Sequence, residues 1–203
     1  NDYFFKAAQS FHITEKVGID LPSESRSRLA DRAYKKNWYE QNKDFYCNYK
    51  QRASKAQQTP FLVQLAAENC VDGDKIRAGD AVNFSIGQGD TVVTPLKLTQ
   101  MYAAIGNGGT IWQAKIAKAI VKTDGTVIDT FAPNKLGTLN TAPSTIKFLQ
   151  GALREVVVSG TASGVFAGFP IEVSGKTGTG QVFGRNPNGT QKDDTSWFAS
   201  YAP

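Results

Sequence analysis

The chain has 203 residues, of which 40% are hydrophobic and 20% are charged, an ordinary composition for one globular domain or a large part of one. No apolar run approaches the roughly 18 residues that a membrane-spanning helix needs. The formal net charge of +5 is compatible with anionic surroundings, but the basic residues are scattered, and Asp31 interrupts the densest cluster, at residues 26–36. That cluster fits a solvated loop or helix face, and no nucleic-acid-binding motif is present, so we expect no nucleic-acid partner.

The first part of the chain combines helical and irregular patterns. Apolar residues at helical spacing predict a helix over residues 1–13, followed by a turn or short extended piece at 17–24. Residues 25–58 are polar with interleaved aromatics, and we expect short helices and loops whose aromatics anchor an excursion to the domain body. Residues 60–69 again have a helical pattern.

The middle of the chain carries clear boundary signals. Residues 84–90 form a Gly-containing loop, and Thr94 with Pro95 predicts the start of a helix that ends at residues 106–109. Residues 111–121 and 126–131 flank an Asp-Gly pair, which predicts two strands joined by a hairpin turn.

The last part begins with a predicted helix from Ser144, as its N-cap, to about Val158. A loop at residues 160–164 follows. Residues 171–179 and 195–202 then predict two strands joined by a polar loop. The whole pattern predicts an α+β fold in which helices pack on a largely antiparallel sheet.

The two cysteines, Cys47 and Cys70, lack the spacing of a zinc site. A disulfide between them, which would require an oxidising compartment, and two unrelated buried thiols both remain open. The single histidine, His12, supports neither a catalytic triad nor a metal site. The sequence from Gly87 to Gly89 lacks the continuation of a phosphate-binding loop, so we expect no metal and no cofactor.

The most informative motif is the Lys-Thr-Gly-Thr run from Lys176 to Thr179. On a strand, Lys176 and Gly178 share one face, and Thr177 and Thr179 the other. A lysine at a buried edge beside small hydroxyl residues supplies positive potential and hydrogen bonds for a substrate carboxylate. Gly178 leaves room for the backbone of a ligand.

The setting of this motif resembles the penicillin-binding transpeptidase family, whose signature set is Ser-x-x-Lys, Ser-Asp-Asn and Lys-Thr-Gly. The similarity covers nearly the whole chain and is closest to class B enzymes of the cell-elongation type (penicillin-binding protein 2-like), with an actinobacterial character. Besides the Lys-Thr-Gly-Thr run, it is carried by residues 18–22, 84–90, 94–96, 102–109, 159–162 and 195–203.

The resemblance implies a penicillin-binding/β-lactamase-like transpeptidase fold that is incomplete at both ends. By position, Asn1 resembles the last residue of Ser-x-Asn, so residues 1–203 would begin within that motif and end after the strand that pairs with Lys-Thr-Gly. The only Ser-x-x-Lys, at Ser144–Lys147, has the wrong order and spacing for the acylated serine. We therefore expect the nucleophile to lie upstream, in another part of the same protein.

The implied activity is serine-type D,D-transpeptidation, in which stem peptides of peptidoglycan are cross-linked and β-lactams trap the same serine. Asn1 would orient the substrate amide, and Lys176 would sustain positive potential and assist proton movement. Thr177 and Thr179 would bind the substrate carboxylate, Gly178 would lie between them, and the N–H of Thr179 would be an oxyanion donor. The chain alone would be inactive.

Two other readings stay open: a D,D-carboxypeptidase or serine β-lactamase of the same superfamily, and a non-enzymatic β-lactam sensor or wall-binding module. The implied partners are peptidoglycan stem peptides, β-lactams and possible elongation-complex proteins. The implied location is the extracytoplasmic face of a bacterial cell membrane, with an anchor that is not in this chain.

Overall fold

The computed structural model describes residues 2–182, 184, 186 and 188–203. The chain divides into two compact units. The first is formed by the residues up to Phe5 together with Arg28–Val92, and the second by Lys6–Ser27 together with Val93–Pro203. Within the described residues, no helix has the length and apolar character needed to cross a bilayer.

The first unit is helical. Its elements are the start of α1 (Asp2–Ser10), then α2 (Arg32–Cys47), α3 (Tyr49–Arg52), a 3₁₀ turn (Lys55–Gln57), α4 (Pro60–Asp72) and α5 (Ala78–Ser85). Asp31 caps α2 by accepting a hydrogen bond from the backbone of Tyr34, and Thr59 caps α4 from the position before Pro60. The excursion predicted over residues 25–58 is therefore mostly helical.

A disulfide links Cys47 at the end of α2 to Cys70 in α4, and resolves the choice that the sequence left open. Close by, the buried Tyr39 of α2 donates its hydroxyl hydrogen to the carbonyl oxygen of Cys70 at 2.9 Å. The two helices are therefore joined covalently and by a hydrogen bond.

The two ends of the Arg28–Val92 segment meet at an isolated β-bridge. The N–H of Arg28 donates to the carbonyl of Val92 at 2.7 Å, and the N–H of Val92 donates to the carbonyl of Arg28 at 2.9 Å. The guanidinium of Arg28 also donates to the carbonyl oxygen of Asp90 at 2.8 Å. The segment is thus closed at its base by main-chain hydrogen bonds.

The second unit contains the strands. Its elements are α6 (Pro95–Gly106), β1 (Thr110–Trp112), β2 (Ala119–Val121), β3 (Val127–Thr130), β4 (Lys135–Thr138), α7 (Pro143–Val158), α8 (Ser163–Phe166), β5 (Ser174–Gly180) and β6 (Thr195–Tyr201). All pairing among the described strands is antiparallel, as predicted. It is divided among three two-stranded sheets, β1–β4, β2–β3 and β5–β6.

The strand predicted over residues 111–121 is wrong as a single element. β1 ends at Trp112, and the next strand begins at Ala119. Between them, the backbone N–H groups of Ile116 and Ala117 donate to the carboxylate of Asp20 at 2.8 and 3.1 Å, which takes them out of any ladder. These same bonds stabilise the charged form of Asp20 and lower its pKa.

Several predicted boundaries also shift. Ser144 is not the N-cap of α7, because Pro143 is the first helical residue and Ala142, which is extended as expected before a proline, takes the cap position. The predicted first helix ends at Ser10, since the backbone of His12 has φ of 53°. β5 begins at Ser174 rather than 171, and α5 extends through Ser85 into the predicted loop.

Among the described residues, the core of the second unit includes two clusters of buried side chains. One joins Ala104 of α6 to Ile111 and Leu139, with Phe11 packed against them. The other consists of Val157, Ala162 and Val173, with Val156 and Phe166 at its side. Val173 of the second cluster directly precedes β5, so the cluster packs the start of that strand against α7.

Candidate active site

The Lys-Thr-Gly-Thr run lies in the middle of β5, paired with β6 in a regular antiparallel register. Lys176 is opposite Ala199, Thr177 opposite Phe198, Gly178 opposite Trp197 and Thr179 opposite Ser196. The hairpin predicted from the sequence is therefore confirmed. Among the described residues, β6 is the one strand that pairs with β5.

Lys176 is exposed, so the expectation of a buried-edge lysine is wrong. Its Nζ donates to the carbonyl oxygen of Thr177 at 3.1 Å and lies 3.4 Å from the hydroxyl oxygen of Thr177. The long side chain folds back along the strand, because its ammonium finds acceptors on the neighbouring residue. The positive charge and the Thr177 hydroxyl therefore lie together, although their Cβ atoms leave the strand on opposite faces.

Thr161 adds a second hydroxyl to this group. Its Oγ1 lies 2.9 Å from Oγ1 of Thr177. The sequence analysis quoted Thr161 within a family-like stretch but gave it no role. The signal that could have identified it is its position after Gly160, where a tight turn presents the hydroxyl outward.

The loop that carries Thr161 is anchored to the end of α7. The N–H groups of Gly160 and Ala162 donate to the carbonyls of Glu155 and Val156 at 2.9 and 3.0 Å. An added Cβ at Gly160 would lie 2.8 Å from the Cα of Val156, so this close approach requires glycine. Ala162 is buried in the core beside Val173, which fixes the loop against β5.

The base of β5 is held by α7 and by the hairpin. Arg154 of α7 donates to the carbonyl oxygen of Val173 at 3.0 Å. An added Cβ at Gly175 would lie 2.7 Å from the carbonyl oxygen of Ala199, so the strands approach closely there. At Gly178, by contrast, an added Cβ would meet the Cβ of Trp197 at 3.5 Å, which is ordinary contact. The strand is therefore closely packed at Gly175, just before Lys176, and has space for an added side-chain atom at Gly178.

The other predicted residues lie elsewhere. Asn1 is outside the described residues. Ser144 and Lys147 are exposed on the first turn of α7. His12 donates a hydrogen bond from Nδ1 to the carboxylate of Glu15 at 2.9 Å. In the part of the chain that the structure describes, no cluster of three or more His, Cys, Asp or Glu residues could hold a metal ion.

Comparison with known proteins places this arrangement in a family. The profile described as penicillin binding protein transpeptidase domain matches residues 1–203. Penicillin-binding protein 2A of Bacillus subtilis is 34% identical over 135 residues, which is 62% of this chain and 19% of that protein. The peptidoglycan D,D-transpeptidase MrdA of Haemophilus influenzae is 31% identical over 137 residues, 62% of this chain and 21% of that protein.

Solved structures of penicillin-binding proteins are also similar to this chain. Penicillin-binding protein 3 of Mycobacterium tuberculosis complexed with ampicillin is 25% identical with a TM-score of 0.60, over 100% of this chain and 36% of that chain. Penicillin-binding protein 2B of Streptococcus pneumoniae has a TM-score of 0.59 at 19% identity, over 100% of this chain and 26% of that chain, and supports the fold alone. The chain belongs to the penicillin-binding protein transpeptidase family and has its α+β fold. It spans about a fifth of the length of these curated relatives.

Proposed function

We propose that this chain forms the Lys-Thr-Gly side of the active site of a serine D,D-transpeptidase that cross-links peptidoglycan stem peptides. The observation that carries the proposal is the grouping of the Lys176 ammonium with the Thr177 and Thr161 hydroxyls on an exposed strand. One cation beside two hydroxyl groups is a suitable set of donors for a carboxylate. The C-terminal carboxylate of a D-Ala-D-Ala stem, or the carboxylate of a penicillin, would bind there.

The proposed reaction is acyl transfer in two steps. The serine Oγ attacks the carbonyl carbon between the two D-Ala residues, the C–N bond breaks, and the terminal D-Ala leaves with a proton on its amine. The amine of a second stem then attacks the serine ester, which forms the cross-linking amide and returns the proton to the serine. In a β-lactam the broken C–N bond is part of the ring, so the leaving amine stays attached to the acyl-enzyme.

Each residue of the run has a proposed part in these steps. Lys176 would supply positive potential and assist proton movement, while Thr177 and Thr179 would hold the carboxylate. Gly178, where the structure has room for an added atom, would let the ligand backbone approach the strand. The N–H of Thr179 would donate to the oxyanion of the tetrahedral intermediate. Asn1 would orient the substrate amide.

We infer that the nucleophilic serine lies in a part of the same protein that precedes residue 1. The only Ser-x-x-Lys of the sequence is Ser144–Lys147, and its serine is an exposed residue in the first turn of α7. A protein of this activity would work at the extracytoplasmic face of the cell membrane, with other elongation-complex proteins as partners. The disulfide supports a location outside the reducing cytoplasm.

Labelled penicillin tests the proposal. The longer protein that carries this chain should be acylated stoichiometrically, and Lys176→Ala should slow acylation by about 100-fold or more, the range expected for a group that assists proton transfer. Ser144→Ala is the matched control and should be acylated at the wild-type rate. Acylation of residues 1–203 alone, or its loss in Ser144→Ala, would refute an upstream nucleophile.

Product analysis separates transfer from hydrolysis. With a stem-peptide substrate and an acceptor amine, the proposal requires a cross-linked product. Release of free D-Ala with no cross-link would identify a carboxypeptidase, and rapid turnover of penicillin would identify a β-lactamase. A protein that is acylated once and processes no peptide would be a sensor.

A further inference from the structure

Aromatic rings of α2 and of the start of α3 form a continuous row of contacts. We call this row the aromatic platform; it consists of Tyr34, Trp38, Phe45, Tyr46 and Tyr49. Tyr34 stacks on Trp38 with ring centroids 6.1 Å apart, and Phe45 lies 5.4 Å from Tyr49. Trp38 donates its indole N–H to the hydroxyl of Tyr46 at 3.2 Å, which joins the two groups of rings. From Tyr34 to Tyr46 the helix rises by about 18 Å.

The platform is accessible and bordered by amides. Trp38 is 42% exposed and Phe45 is 37% exposed, although aromatic side chains of this size are usually buried. Asn37 and Gln41 lie beside the rings on the exposed surface, where the Gln41 amide donates to the Asn37 carbonyl oxygen at 3.3 Å. Aromatic rings pack against the C–H faces of pyranose sugars, and planar amides bind hydroxyl and N-acetyl groups. This combination is suited to carbohydrate.

The platform also lies in a basic part of the chain. Residues 32–52 have six basic and two acidic side chains, a net charge of +4 in a chain whose total is +5. Arg28 lies over the ring of Tyr34, with 5.1 Å between the guanidinium carbon and the ring centroid. A glycan that carries carboxylates is complementary to this charge.

Aromatic and basic residues also bind lipid membranes and nucleic acids, and the features of α2 argue against both. α2 contains no Leu, Ile, Val or Met, so it lacks the aliphatic face that inserts a helix into a lipid surface. The Cys47–Cys70 disulfide at the end of α2 fits an oxidising compartment, where nucleic acid is not the common partner.

The platform is also rigid before any ligand binds. Asp31 caps the start of α2, and Cys47 ties its end to α4. Tyr39 of α2 is buried, and its hydroxyl donates to the carbonyl oxygen of Cys70. A surface that is already ordered loses little conformational entropy on binding.

We propose that the aromatic platform of α2 and α3 binds a glycan strand built of N-acetylated pyranoses, some of which carry carboxylates. The identification of that strand as the glycan of peptidoglycan rests on the proposed function, whereas the binding surface does not. Such a surface holds the polymer at sugars that carry no stem peptide and therefore keep a free carboxylate, while stem peptides on other sugars of the strand react.

The test uses the longer protein that carries this chain, with soluble peptidoglycan glycan strands from which the stem peptides have been removed. Binding is measured by fluorescence anisotropy of end-labelled strands. The wild type should bind saturably, and Trp38→Ala and Phe45→Ala should each weaken binding by about tenfold, as expected when an anchoring aromatic is truncated. Chitin oligosaccharides, which have the N-acetyl groups without the carboxylates, should bind more weakly.

The matched control is Phe61→Ala, which removes an aromatic side chain of the same unit that is 71% exposed and lies outside the platform. It should bind like the wild type. Trp38→Phe keeps a ring and should bind within about threefold of the wild type, which separates loss of the ring from loss of the helix. Penicillin acylation of all these variants should be unchanged, and it reports on the proposed function independently of the glycan.

Absence of saturable binding in the wild type would overturn the proposal. So would an unchanged affinity in both Trp38→Ala and Phe45→Ala, or an equal loss in Phe61→Ala. Stronger Trp38-dependent binding to anionic phospholipid vesicles or to a single-stranded oligonucleotide would also overturn it and would identify the other class of partner.

Discussion

The hydroxyl oxygens of Thr161 and Thr177 lie 2.9 Å apart and join the turn after α7 to the middle of β5. The turn is fixed by main-chain hydrogen bonds to Glu155 and Val156, so Thr161 has a defined position from which to orient the Thr177 hydroxyl. The lysine-bearing strand is therefore supported from the side by a residue that lies outside the Lys-Thr-Gly-Thr run.

The first prediction concerns this pair. Thr161→Val removes the hydroxyl while keeping the shape, and we expect it to slow penicillin acylation of the longer protein by about three- to tenfold, the range of one hydrogen bond. Thr161→Ser keeps the hydroxyl and should restore most of the rate. Second-order acylation rate constants measure the effect. Equal rates for valine and serine variants would show that the hydroxyl does not contribute.

The second prediction compares two glycines of β5. Gly175→Ala places a methyl group 2.7 Å from the carbonyl oxygen of Ala199 and should destabilise the hairpin. Gly178→Ala makes ordinary contact with Trp197 and should leave stability nearly unchanged, yet it should slow acylation strongly because the added methyl group occupies the approach of the ligand. Denaturant unfolding and penicillin labelling separate the two effects. Wild-type acylation of a folded Gly178→Ala protein would contradict the ligand path along β5.

The third prediction concerns the disulfide. Replacing Cys47 and Cys70 together by serine removes the cross-link across a sequence separation of 23 residues. We expect a loss of about 3 kcal/mol in the stability of the first unit. Hydrogen exchange measured by mass spectrometry should show faster exchange in α2 and α4, and unchanged exchange in β5 and β6. Reduction of the wild type should reproduce this pattern, and identical exchange with and without the disulfide would refute it.

The fourth prediction concerns pH and Lys97 of α6. This lysine is only 2% exposed, and burial lowers its pKa below the usual value, an effect that the charges of Glu15 and Glu24 partly oppose. Because the folded pKa lies below the unfolded one, the unfolded chain binds more protons between the two values, and stability contributed by this group rises with pH in that interval.

Lys97→Met should therefore reduce the gain in stability that the protein shows as the pH rises towards the usual pKa of lysine, measured from urea unfolding. The substitution also removes the hydrogen bond from Lys97 to Gln100 Oε1 at 2.7 Å, which changes the stability at every pH. The quantity to compare is therefore the slope of the unfolding free energy against pH. Lys147→Met, at an exposed lysine of α7, is the matched control and should keep the wild-type slope. The same slope in all three proteins would contradict a lowered pKa at Lys97.

Local signals accounted for much of the fold. Thr94 followed by Pro95 predicted the start of α6 correctly, because an N-cap hydroxyl and a proline at the first helical position act within one turn of the chain. The pairing of β5 with β6 also followed from two strand patterns close in sequence. In the same way, the Asp-Gly pair located the turn between β2 and β3.

Long-range contacts were the part that the sequence could not supply. Asp20 interrupts a predicted strand by accepting hydrogen bonds from Ile116 and Ala117, which lie far along the chain. The role of Thr161 depends equally on the fold that brings it to Thr177. Local patterns report the conformation of a segment, and they carry no information on which distant polar group will occupy its hydrogen bonds.

The bridge between Arg28 and Val92 has a consequence for how this family can vary. Two main-chain hydrogen bonds close the segment at its base, so the chain returns to nearly the point from which it left. Lengthening such a closed excursion costs only about 0.6 kcal/mol for each doubling of loop length. The segment between Arg28 and Val92 can therefore be lengthened, shortened or replaced as one unit during evolution. Related proteins can then differ in the surface of this segment while the Lys-Thr-Gly hairpin stays the same.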